Sequence, residues 1–293
     1  MNLNHLAIFH AAAEEGSMSR AADRLFISQP AVSKQIGELE AALGVSLFDR
    51  LPRGLRLSAA GELLAGHARR LFAVEAEAEQ AIREMRGLTQ GKLTIGASLT
   101  IGDYLMPKLL GAYHKRYPKI ALHLEIANTQ VIEQKLRENL LDFGLTEGFA
   151  EDGTLDAEVF AEDTLTAIVA PGHPLREESI VTAVRFCAEP FLLREPGSGT
   201  REVVERALLR QGITVRPALS LGSTEAIKQG VAAGLGVAIV SRLALDMEIK
   251  MGLLCPLPLR DLDITRPLHL VRGHSKADSP AAQAFLSLLK NDF

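Results

Sequence analysis

Tryptophan is absent from this 293-residue sequence, and aromatic residues together make up only 5% of it. That composition excludes a surface of stacked aromatics, the usual platform for single-stranded nucleic acid. Cysteine occurs twice, at Cys187 and Cys255. There is no CxxC pair and no His/Cys cluster at metal-ligand spacing, so no metal site is expected and both thiols are read as reduced and buried. No apolar run approaches the roughly 18 residues of a membrane span. The start, Met1-Asn2-Leu3-Asn4-His5, lacks the basic and apolar segments of a secretory signal. A cytoplasmic protein with no membrane partner is expected. Positive charge is also lacking, the formal net charge being −4. A protein that coats nucleic acid without specificity is usually basic, so any DNA contact here must come from a local patch.

Apolar residues reach 47% and charged residues 23%, as in ordinary globular proteins. A chain of this length suggests two or three domains. Residues 1–57 read as short helices and a hairpin, and residues 58–88 as one long helix free of proline, with Gly87 and Gly91 bracketing a break. From Lys92 onward strands alternate with helices. LTIGAS, IALHLEIA, DFGL, TAIVA, PFLLR, ALSLG, VAIVS and PLHLV are strand candidates. Helices are expected near 102–117 and over 130–140, 199–211, 223–234 and 279–290. This alternation predicts an α/β fold with a mostly parallel sheet, split into two subdomains with a cleft between them.

Residues 17–43, SMSRAADRLFISQPAVSKQIGELEAAL, carry the signature of a helix-turn-helix. Ser17 is a candidate N-cap, and Ala21, Ala22 and Leu25 form a small-residue packing face. Phe26-Ile27 make the turn. Ser28 caps the second helix, with Pro30 in its first turn, where a missing N–H costs nothing. Val32, Ile36, Leu39 and Leu43 define its buried stripe. Off that stripe lie Gln29, Ser33, Lys34 and Gln35, amide and hydroxyl groups suited to base edges and a cation suited to phosphate. In GVSLFDRLPRGLRL (44–57), Leu47-Phe48 and Leu55, Leu57 flank a Pro52-Arg53-Gly54 turn and read as a hairpin. Arg50, Arg53 and Arg56 make it a basic wing that would touch the DNA backbone or minor groove. Over 17–58, six cations (Arg20, Arg24, Lys34, Arg50, Arg53, Arg56) outnumber four acids (Asp23, Glu38, Glu40, Asp49).

The stretch from LAIFHAAAEEG through SQPAVSKQI and LFDR to the Ser-x-x-Gly after the wing resembles the N-terminal domain of LysR-type transcriptional regulators over about 60 continuous residues. The similarity extends over the whole length and domain order. It implies a winged helix-turn-helix (1–58), a linker and dimerisation helix (59–90), and an effector domain resembling periplasmic binding proteins (91–293). Subdomain I would comprise 91–162 and 267–293, and subdomain II 163–266. It further implies a homotetramer.

In the long helix Leu64, Ala68, Leu71, Glu75, Ala78, Ile82 and Met85 step by four and three, a heptad seam with one polar member. Such a seam favours a homodimer, whose two heads would read an interrupted inverted repeat in double-stranded promoter DNA. In the α/β part, ligands belong at strand C-termini and helix N-termini. Gly96–Thr100, Asn128-Thr129, Thr146-Glu147-Gly148, Arg194–Arg201 and Gly222–Thr224 fall at such places. Ser98, Thr100, Thr146, Ser198 and Thr200 match ligand-contacting positions of the family, with Arg201 adding charge. Hydroxyls and helix N–H groups suit an anion. REPGSGTR is similar to a subgroup tied to sulfur assimilation or carbon fixation, which implies a small inorganic or carboxylate effector and no cofactor.

Two other readings stand beside this one. An enzyme would need a motif, but no GxxxxGK[ST] is present and no GxSxG, HExxH or GxGxxG follows a suitable strand. His114, His123 and His269 read as solvent-facing or core residues. An uptake binding protein would fit the C-terminal part, yet not the DNA head. The preferred mechanism is a small anion that shifts the oligomer between two arrangements, changing DNA bend and contact with RNA polymerase.

Overall fold

The computed structural model describes residues 1–50, 55–84, 91–147, 153–273 and 278–292. The chain divides into two units, Met1–Gln80 and Ala81–Phe293, each considered by itself.

The first unit runs α1 (Leu3–Glu15), α2 (Met18–Leu25), α3 (Gln29–Leu43), β1 (Phe48–Arg50), β2 (Leu55–Leu57) and α4 (Ala59–Glu84), the last crossing the boundary between units. Its helices begin where side chains cap them. Ser17 Oγ accepts from the Arg20 N–H at 3.4 Å, and Ser28 Oγ from the Ala31 N–H at 3.4 Å. Gly44, at φ +71°, closes α3 in the left-handed conformation that an L side chain avoids. Leu6, Phe9, Ala12, Ala21, Val32, Ile36 and Leu39 fill the core, and the Phe9 and Phe48 rings sit 5.3 Å apart. Leu43, expected in the buried stripe, is 39% exposed because it lies at the helix end, past the facing helices.

The second unit continues with β3 (Gly91–Ser98), α5 (Leu99–Tyr104), α6 (Met106–Arg116), β4 (Ile120–Ala127), α7 (Thr129–Arg137), β5 (Phe143–Glu147) and β6 (Leu155–Val169). Then come α8 (Ala183–Cys187), β7 (Leu192–Arg194), α9 (Gly199–Arg210), β8 (Leu219–Leu221), α10 (Thr224–Ala232) and β9 (Ala238–Ser241). It ends with α11 (Asp246–Lys250), β10 (Cys255–Pro256), β11 (Ile264–Gly273) and α12 (Pro280–Asp292). One helix was expected near 102–117; the chain makes two, with Pro107 in the first turn of α6.

Seven strands form one sheet in the order β10-β6-β11-β5-β3-β4, with β9 also paired to β6. The mostly parallel sheet expected from the sequence is only half right. β3 pairs parallel with β4 and β5, but β5–β11, β11–β6, β6–β9 and β6–β10 are antiparallel. The reason is connectivity: the chain passes between the subdomains once on β6 and returns on β11, so the two crossing strands must oppose each other. Residues 93–145 and 268–289 supply one core, in which the Tyr113 and Phe143 rings pack at a tilt against Phe285. Residues 165–264 supply another. Cys187 and Cys255 are half-buried against that second core rather than fully buried, and both are free; desolvation pushes the Cys187 thiol up to about 11. Among the described residues no helix is long and apolar enough to cross a membrane.

Candidate DNA-reading head and effector site

In the head, Ser28, Gln29, Pro30, Ser33 and Lys34 are exposed on the first turns of α3 and Gln35 is half-buried. They lie off the stripe of Val32, Ile36 and Leu39, which are 0–2% exposed, with Lys34 on the far side of the helix and Gln29 and Gln35 flanking the stripe. Lys34 Nζ lies 3.8 Å from Glu38 and remains 77% exposed, so water screens that pair strongly. Phe26 holds the turn at φ +55° and is 96% exposed.

The wing is present as a three-pair antiparallel ladder, Phe48↔Leu57 to Arg50↔Leu55. Its Pro52-Arg53-Gly54 turn, Arg53 itself and the Arg50 side chain lie outside the described residues. Two expectations about charge change. Arg56 donates to Asp49 across the ladder at 2.7 Å, and Arg24 bonds Glu14 at 2.7 Å. Arg20 is held by Glu15. Counted from residue 1, six cations face six acids, because Glu14 and Glu15 fold back onto the helix-turn-helix. The head is thus a neutral body with its exposed polar face at the start of α3, not a basic block. Glu40, counted from the sequence only as one of the acids, has a structural role. Its Oε1 accepts from the Leu47 N–H at 2.6 Å and the Phe48 N–H at 3.4 Å, fixing the wing to α3.

The linker seam also changes. Ala65 and Ala68 are buried in the head's own core, with Leu64 and Phe72 packed against it. Among the described residues of α4, the large apolar side chains left exposed are Leu63, Leu71 and Val74, at 68%, 38% and 53%. The four-three reading merged these two faces. No side chain is described for Ile82, and Met85 and Gly87 lie outside the described residues.

In the second unit, Ser98, Thr100, Thr146, Ser198 and Thr200 are all buried, at 1–4% exposure. Ser98 ends β3, Thr146 lies in β5, Ser198 caps α9 and Thr200 is in its first turn. The two subdomains meet there. The Gln130 N–H donates to the Gly197 C=O at 3.3 Å, and the Gly199 Cα faces the Glu147 carbonyl so closely that a Cβ would come within 2.0 Å of the oxygen. Ser98 Oγ donates to one carboxylate oxygen of Glu147, and Thr200 Oγ1 donates to the other at 3.2 Å. Arg266 Nη1 donates to Thr200 Oγ1 at 2.8 Å and lies 3.6 Å from Glu147. Its other nitrogens bond Asp163 at 2.9 and 2.7 Å, and Ser241 Oγ donates to Asp163 at 3.0 Å.

Thr146, next to Glu147 in the strand, projects to the opposite face of the sheet. Arg201 does not join the cluster. Its guanidinium donates to Glu205 at 3.0 Å and to the Arg194 C=O at 3.1 Å. Sequence reasoning missed Asp163 and Arg266, and placed Glu147 in a ligand-suited loop without giving it a role. One signal was present: Arg266 puts a charge inside the strand ITRPLHLV, whose other polar members, Thr265 and His269, are uncharged or only weakly basic. Gly148 lies outside the described residues. A cavity of about 460 Å³ lies elsewhere, between Leu165, Ile239 and Leu257, and none of the expected ligand residues lines it.

Two family models match the chain: "Bacterial regulatory helix-turn-helix protein, lysR family" over residues 3–62, and "LysR substrate binding domain" over 86–293. The RuBisCO operon transcriptional regulator of Allochromatium vinosum is 34% identical over 285 residues, covering 97% of this chain and 94% of that one. A full-length OxyR from Pseudomonas aeruginosa is 25% identical, with a TM-score of 0.73 over 99% of this chain and 94% of that one. The regulatory domain of CcmR from Synechocystis, solved with 2-PG, is 32% identical, with a TM-score of 0.65, 69% of this chain and 97% of that one being covered. These relatives are regulators rather than enzymes, and the similarity to the RuBisCO operon regulator matches the carbon-fixation branch of the family. The chain therefore belongs to the LysR family, as a DNA-binding transcriptional regulator with a helix-turn-helix head and a two-subdomain effector domain.

Proposed function

We propose that this regulator controls carbon-assimilation genes in response to a small oxyanion of the 2-phosphoglycolate class, bound between its two subdomains. Similarity to the RuBisCO operon regulator and to the CcmR domain with 2-PG supports the gene class and the ligand class. The observation that carries the site is the convergence of buried Ser98 and Thr200, one from each subdomain, on a single carboxylate. Hydroxyls that hold a carboxylate hold any oxyanion of that size. Thr100 and Ser198 complete the ligand set, while Thr146, expected to join it, lies on the other face of β5 and is left out. Arg201 contributes its backbone N–H, which Ser198 caps at 3.5 Å, rather than its charge.

On the DNA side, Ser28, Gln29, Pro30, Ser33, Lys34 and Gln35 read base edges and phosphates in the major groove, with Arg50 and Arg53 on the flanking backbone. The reading head is 1–58, the linker 59–90 and the effector domain 91–293. A homodimer through α4, paired into a homotetramer, places heads on an interrupted inverted repeat in the cytoplasm and presents DNA to RNA polymerase. The test is titration of the full chain with 2-phosphoglycolate, following thermal stability, DNA footprint and bend. Ligand that binds the native state raises the melting temperature. The expected result is a stability increase together with an altered footprint; saturating ligand that changes neither overturns the reading.

A further inference from the structure

We infer that the Glu147 carboxylate is an internal competitor for the effector, occupying the hydroxyls that the effector must take. The inference rests on the oxyanion reading above. Both oxygens of Glu147 are engaged, one by Ser98 and the other by Thr200, and the residue is 2% exposed. The charge balance around it leaves no room for a second anion. Three buried groups, Glu147, Asp163 and Arg266, carry two negative charges and one positive. Asp163 takes two of the three guanidinium nitrogens of Arg266, while Glu147 stands 3.6 Å from the third. An anion placed beside Glu147 would add an uncompensated charge at low dielectric, which burial strongly disfavours. The effector therefore binds by expelling the carboxylate from Ser98 and Thr200.

This sets the chemical class of ligand. Thr100 Oγ1 is 1% exposed and has no hydrogen-bond partner among the described residues. A carboxylate has two oxygens, and those of Glu147 are spent on Ser98 and Thr200. A phosphoryl group offers three acceptor oxygens, so it can satisfy Ser98, Thr200 and Thr100 together. Phosphoryl anions should displace Glu147 where monocarboxylates fail.

The experiment is calorimetric titration of the full-length chain and its Glu147→Gln variant with 2-phosphoglycolate, inorganic phosphate and acetate. Glutamine keeps the shape and removes the charge; its NH2 only donates, so one of the two hydroxyls must turn from donor to acceptor. The variant is expected to bind both phosphoryl probes at least about tenfold more tightly, and to gain measurable acetate binding. Glu147→Asp, which keeps the charge but shortens its reach, should give an intermediate gain and serves if the glutamine variant fails to fold. Equal or weaker phosphoryl binding by the variants overturns the competitor and leaves the oxyanion reading standing. Binding of no probe by any of the proteins overturns that reading and the competitor with it.

Discussion

Gly199 has no room for a methyl group. A Cβ there would lie 2.0 Å from the Glu147 carbonyl oxygen and 2.8 Å from Thr129 Oγ1. Because the first obstacle is backbone, α9 as a whole must move away. Gly199→Ala should destabilise the protein by about 1–3 kcal/mol, a typical cost of overpacking, and should weaken binding of 2-phosphoglycolate. An unchanged melting temperature with unchanged affinity would show that the subdomains separate freely at this point. On α3, Gln29→Ala should relax sequence choice while leaving affinity for random DNA nearly intact, as read by competition binding at fixed salt. The hydroxyls at 98 and 200 were legible because residues at strand ends and helix starts have few roles to choose from. Glu147 was not, because a carboxylate after a threonine at a strand end looks like a solvent-facing acid. Only the approach of α9 from the other subdomain buries it.

The wing is a three-residue ladder that owes its position to one side chain. Glu40→Ala removes the acceptor for the Leu47 and Phe48 N–H groups and should cost about 1–3 kcal/mol, the range for hydrogen bonds to a charged group. The expected result is a lower melting temperature and weaker binding to specific and random DNA alike; loss of sequence preference alone would contradict it. Between α1 and α4, the His10 ring stacks on Phe72 at 5.4 Å. Burial lowers the pKa of His10, with Arg69 and Arg24 adding to the effect and Glu14 opposing it. The unfolded chain therefore binds the proton first as pH falls. Stability of the head should decline as pH drops through about 6.5, and His10→Gln should flatten that slope in thermal melts. Helices with caps and apolar stripes were readable from sequence. β6 was not: only its end, TAIVA, was recognised, because the Leu155–Asp163 half is largely exposed and rich in acids. α4 misled in the opposite direction, since two apolar faces one position apart imitate a single seam.

At the scale of the whole molecule, the exposed Leu63, Leu71 and Val74 of α4 place the proposed dimer contact. Leu63→Glu with Val74→Glu should convert dimers to monomers in sedimentation equilibrium and abolish binding to paired half-sites, while a single half-site remains bound weakly. An unaltered mass would move the contact elsewhere. The effector unit has its own geometric constraint. Its two subdomains are joined by β6 and β11, which pair with each other through ten residue pairs, with a register shift between Leu268 and His269. Two separate linkers would let the lobes swing apart in any direction. A hydrogen-bonded ribbon can change its twist and keep its ladder, but bending apart breaks bonds. Splaying the lobes apart in the plane of the ribbon is therefore disfavoured, whereas twisting one lobe against the other about its long axis leaves the ladder intact. Arg266 and Asp163 face each other on that ribbon and Glu147 pairs with its Leu268, so a ligand exchanged at Glu147 would act beside the axis, from which even a small turn grows into a large displacement at the rim.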